Sequence, residues 1–91
     1  MAKWGSVVEV ETQRRILLSV AAYAYEFKNE SFMSDHAFDE ECKLVDLTID
    51  TANPTMDAWF RKEFDPCTGQ WVRKHPNLPR LETLYNVYTR S

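Results

Sequence analysis

The chain has 91 residues, enough for one domain with a modest core and no second domain. Hydrophobic residues make up 44% and aromatics 13%, while two glycines and four prolines leave little flexible loop, a balance that excludes disorder. The net charge is −3, and Asp39, Glu40, Glu41, Asp46 and Asp50 crowd the middle of the chain, where they repel phosphate and disfavour direct nucleic-acid binding.

The first helix is expected from Ser6 to about Phe27. Ser6-Val7-Val8-Glu9 is a capping box, in which the Ser6 hydroxyl accepts from the Glu9 amide and the Glu9 carboxylate reaches back. Val10, Leu17, Val20, Ala21, Ala24 and Phe27 form the expected inner face, with Arg14 and Arg15 turned to solvent. Ser34 caps the second helix, with Asp35 in the first turn, where a negative charge complements the helix dipole. Phe38, Cys42, Val45 and Ile49 then mark one buried seam as far as Asp50.

Asn53 followed by Pro54 opens a third helix, because proline's missing amide is not needed in the first turn. Met56, Trp59, Phe60 and Phe64 give it an aromatic inner face, and Asp65-Pro66 stops it. Residues 70–79 read as a packed loop anchored by Trp71. A last helix, 79–89, carries Leu81, Leu84, Tyr85 and Tyr88 on one side. The expected fold is all-α: a single helical domain spanning residues 1–91, with about four helices. A loop of roughly six residues makes the first two an antiparallel hairpin.

Catalytic signatures are scarce, so a non-enzymatic role is expected. Gly5 and Gly69 are the only glycines, so no glycine-rich phosphate loop exists, and neither a nucleophile elbow nor a His-Glu-x-x-His motif occurs. Cys42, Cys67, His36 and His75 are too scattered for a zinc site, and Cys42 reads as a small buried hydrophobe. No apolar run reaches membrane-spanning length and no signal-peptide core opens the chain, so a cytoplasmic home without membrane contact is expected.

Two features invite a binding function. Asp35 and Asp39 share a helix face, one turn apart and beside Phe38. A capped helix start is the simpler reading; the alternative is a corner that accepts hydrogen bonds from a small polar ligand. The aromatics Trp59, Trp71, Tyr85 and Tyr88 exceed what the apolar seams need. Packing in a small core is their commoner role, and a protein-binding surface is the alternative. Trp4 is likewise expected to pack.

The stretch from Ala22 to Asp46, with Tyr25, then Ser34-Asp35-His36-Ala37-Phe38-Asp39, and later His75-Pro76-Asn77-Leu78, resembles the small N-terminal helical subdomain of NAD-dependent DNA ligases. The match covers roughly residues 20–46, with the His-Pro piece displaced downstream. In that family the subdomain holds the nicotinamide mononucleotide (NMN) half of NAD. The resemblance implies that Tyr25 stacks on the nicotinamide, that Asp35 and Asp39 hold polar groups, and that Phe38 replaces a second tyrosine. Glu26 stands where the family carries a histidine, and no Lys-x-Asp-Gly adenylation motif occurs, so the chain is not expected to be a ligase by itself.

The first expectation is therefore a small intracellular, non-catalytic binding protein that contacts a host or phage protein. Its size and its stand-alone copy of an enzyme fragment suggest a phage or mobile-element source. The alternative is an NMN- or NAD-binding module built on Tyr25, Glu26, Asp35, Phe38 and Asp39.

Overall fold

The computed structural model describes residues 6–66 and 68–89; Trp4 and Cys67 lie outside them. Among these residues the fold is all-helical, with four α-helices and one 3-10 helix and no strand. The helices are α1 (Val7–Lys28), α2 (Asp35–Leu44), α3 (Pro54–Glu63) and α4 (Leu78–Thr89), and the 3-10 helix, Gln70–Lys74, precedes α4. Among the described residues no helix is long and apolar enough to cross a membrane.

Helix starts follow local chemistry. Both halves of the Ser6–Glu9 capping box form. The Ser34 hydroxyl accepts from the Ala37 amide, and the Asn53 side chain accepts from that of Met56. α1 ends at Asn29, which takes the left-handed conformation (φ 52°) that asparagine tolerates better than most residues.

α1 is the central element and packs against α2, the 3-10 helix and α4. Its buried stretch, Leu18 to Ala24, meets Cys42, Phe60, Trp71, Val72, Leu81 and Tyr85. Phe60 and Trp71 meet edge to face at 5.2 Å, and Phe64 closes on Trp71 at the same distance. Each such pair adds roughly 0.5–1.5 kcal/mol beyond the area it buries. Small residues carry the middle of α1, so the bulk of the core comes from the aromatics of its neighbours.

Three expectations need correction. Arg15 does not face solvent: it is buried, 7% exposed, between Glu11 and Asp57, which are themselves 1% and 3% exposed. Its guanidinium donates to Glu11 at 2.8 Å, to Asp57 at 2.9 Å, and to the carbonyls of Asp46 and Ile49 at 2.8 and 3.1 Å. It also lies 5.2 Å from the Phe60 ring centre. Val10 and Phe27, expected inside, are 41% and 40% exposed.

α2 stops at Leu44 rather than Asp50. The carbonyls of Asp46 and Ile49 are turned to Arg15 and that of Leu47 to Arg61. Meanwhile the Asp46 carboxylate folds back onto the amide and hydroxyl of Thr48. These backbone groups are satisfied from outside, and a local Asx turn competes with the helix. Residues 70–74, expected as part of a packed loop, wind into the 3-10 helix instead, with Trp71 buried as its expected anchor and Val72 beside it.

Candidate functional site

Ala21, Ala22 and Tyr25 lie within one turn of α1, so they present neighbouring positions on its surface. Asp35, Phe38 and Asp39 stand at i, i+3 and i+4 and so share a face of α2. The 30–33 connection and the turn around Thr68 and Gly69 complete the enclosure. Together these residues line a cavity of about 460 Å³. That volume falls within the range of small-molecule sites, about 300–1,000 Å³.

Its aromatic wall comes from Tyr25, Phe32 and Phe38, and its polar groups from Glu30, Ser31, Asp35, Asp39 and Thr68. Gly69 sets how close the last turn approaches. A Cβ built there would lie 3.3 Å from the Ala22 Cβ and 3.8 Å from the Phe38 ring. Only a residue without a side chain leaves this contact uncrowded.

Four of the five corner residues, Tyr25, Asp35, Phe38 and Asp39, therefore line one cavity. Tyr25 is 61% exposed, which leaves its ring free for a ligand. Asp35 is exposed in the first turn of α2, and Asp39 is exposed with Lys43 at 3.3 Å. Glu26 is not among the lining residues. Its carboxylate accepts from Arg73 Nε at 2.8 Å, and the same guanidinium lies 5.1 Å from the Phe27 ring centre.

The four surface candidates separate. Trp71 and Tyr85 are core residues, 4% and 8% exposed. Trp59 is half-buried, 5.7 Å from Trp71 and 4.9 Å from His75 between ring centres. Tyr88 is exposed and meets Phe32 edge-on at 6.3 Å.

Sequence reasoning missed Glu30, Phe32, Thr68 and Gly69 as parts of the cavity. One of two glycines, set in a turn between Pro66 and Trp71, was the available signal for close backbone approach. Nothing local ties that turn to α1, 47 positions earlier.

Cys42 is the buried residue of α2, and burial, followed by the charges of Asp39 and Glu41, pushes its thiol up to about 11. It behaves as a hydrophobe and not as a nucleophile. Among the described residues no group of three His, Cys, Asp or Glu side chains is placed to hold a metal. What the cavity offers chemically is stacking on aromatic faces and hydrogen-bond acceptance by carboxylates.

Comparison with protein-family models, curated proteins and solved structures finds no match.

Proposed function

We propose that the chain is a non-catalytic binding module whose cavity takes a nicotinamide-type ligand. One observation carries this reading: Tyr25, Asp35, Phe38 and Asp39, the positions that resemble the ligase subdomain's mononucleotide corner, line a single cavity of ligand size. A flat ring would stack on Tyr25, and the ligand's amide and ribose hydroxyls would donate to Asp35 and Asp39. Phe38 contributes apolar contact where the resembled family has a hydroxyl. The reading takes α1 and α2 as an antiparallel hairpin with the ligand at its mouth, and a cytoplasmic setting, where pyridine nucleotides are available.

The test is a titration of nicotinamide riboside, NMN and NAD followed by amide chemical shifts. Shifts should centre on residues 21–39 and 68–69 and vanish in Asp35→Ala. No shift at millimolar ligand would remove the proposal.

A second reading is contact with a host or phage protein. It is favoured by exposed apolar side chains at the C-terminal ends of α2 and α4, with Leu44 56%, Val87 62% and Tyr88 38% exposed. Its support would be a partner whose binding is lost in Tyr88→Ala and is indifferent to Asp35→Ala.

A further inference from the structure

We propose that the cavity discriminates by charge: it selects a flat organic cation without a phosphate, a pyridinium nucleoside being the type ligand, over the corresponding mononucleotide. The inference rests on the small-molecule reading above and deepens it.

Three carboxylates, Glu30, Asp35 and Asp39, line the cavity, and no Lys or Arg does so among the described residues. Lys43, Arg73 and Lys28 are each held by carboxylates, Lys43 partly by Asp39 of the lining itself. Lys43 lies between Asp39 at 3.3 Å and Glu40 at 3.5 Å, and Arg73 is held by Glu26 at 2.8 Å. Lys28 lies 3.8 Å from Glu82. The N-terminus of α2 would ordinarily attract an anion. Here the Ser34 hydroxyl already accepts from the Ala37 amide at 3.1 Å, and Asp35 supplies the negative charge that the dipole favours.

The apolar part of the lining points the same way. Tyr25, Phe32 and Phe38 have rings with negative faces, and an organic cation is attracted to them as well as to the carboxylates. The small residues Ala21, Ala22 and Gly69 add no charge to the lining. A phosphomonoester carries a charge of about −1.5 to −2 at neutral pH, so it meets three carboxylates, of which Asp39 has Lys43 beside it, and no cation in the lining. A pyridinium ring meets the opposite field.

Isothermal titration at low salt with nicotinamide riboside, NMN, 1-methylnicotinamide and neutral nicotinamide tests this. The riboside should bind about tenfold or more tighter than the mononucleotide, a difference of about 1.4 kcal/mol. 1-Methylnicotinamide should bind tighter than nicotinamide. The gap between riboside and mononucleotide should narrow with added salt and in Glu30→Gln/Asp39→Asn, whose folding is checked by circular dichroism. A mononucleotide that binds as tightly as the riboside, or a methylated ring no tighter than the neutral one, overturns the charge selection and leaves the ligand site standing. If none of the four binds, the small-molecule reading falls with it.

Discussion

Replacing Arg15 by methionine should be among the most damaging single changes in this protein. The guanidinium makes four hydrogen bonds, two to carboxylates and two to the carbonyls of the α2–α3 connection. Glu11 has a further structural task, accepting from the Asp46 amide at 3.1 Å, and Asp57 accepts from that of Thr51 at 2.8 Å. Methionine fills much of the volume but leaves Asp57 buried without its ion-pair partner, and Glu11 with Arg14 alone, at 3.1 Å. Removing one partner of a buried ion pair typically costs about 3–5 kcal/mol. A domain of this length holds roughly 5–14 kcal/mol in total. At about 4–8 °C per kcal/mol the melting temperature should fall by roughly 12–40 °C.

Thermal unfolding followed at 222 nm is the assay. Lys43→Met removes two exposed pairs and serves as the control, with an expected cost under about 1 kcal/mol. Glu11→Gln/Arg15→Met/Asp57→Asn, which removes all three charges together, should recover a substantial part of the single mutant's loss. If Arg15→Met melts within about 5 °C of the parent, or if the triple variant is no better than the single, charge pairing is not what holds this region.

Four further outcomes follow from particular residues. For Asp57, burial raises the pKa, but the Thr51 hydroxyl and amide, with Arg15 and Arg61, more than offset it and hold the carboxyl below its ordinary value. Its contribution to stability is thus present above the unfolded carboxylate pKa, about 4, and lost as pH falls through the depressed folded value, so acid titration of Asp57→Asn should show a shallower decline there than the parent. Cys42, with its thiol raised to about 11, should resist alkylation at pH 8 until the protein unfolds, as read by site-resolved mass spectrometry. Ala52 holds φ at 72°, and Ala52→Gly should raise stability by about 0.5–1 kcal/mol in urea unfolding, since the left-handed conformation costs about 1–2 kcal/mol for a residue with a Cβ. Gly69→Val should cost about 1–3 kcal/mol in the same assay, by crowding Ala22 and Phe38, and should abolish ligand-induced shifts.

Helix starts were legible in the sequence because capping is local: Ser6 with Glu9, Ser34 with its first turn, and Asn53 with Pro54 each act within three residues. The aromatic core was legible in kind: Trp71 and Tyr85 pack inside, the commoner role expected of them, while Tyr88 lies at the surface. Arg15 was misread because its burial depends on Asp57, 42 positions away, and no periodicity encodes that partnership. The end of α2 failed for the same reason: the apolar stripe continues through Val45 and Ile49, while distant arginines capture the backbone carbonyls. For the cavity, the helical spacing of Asp35, Phe38 and Asp39 gave one wall, and the resemblance supplied Tyr25. The opposite side, Thr68 and Gly69, comes from a turn whose approach to α1 is a tertiary fact.

The most direct measurement is a set of intermolecular nuclear Overhauser effects between the protein and nicotinamide riboside. The account predicts cross-peaks from the ligand's ring protons to the Tyr25 and Phe38 rings and to the Ala22 methyl group. Ring contacts confined to another face of the molecule, with Tyr25 silent while the ligand is bound, would contradict it.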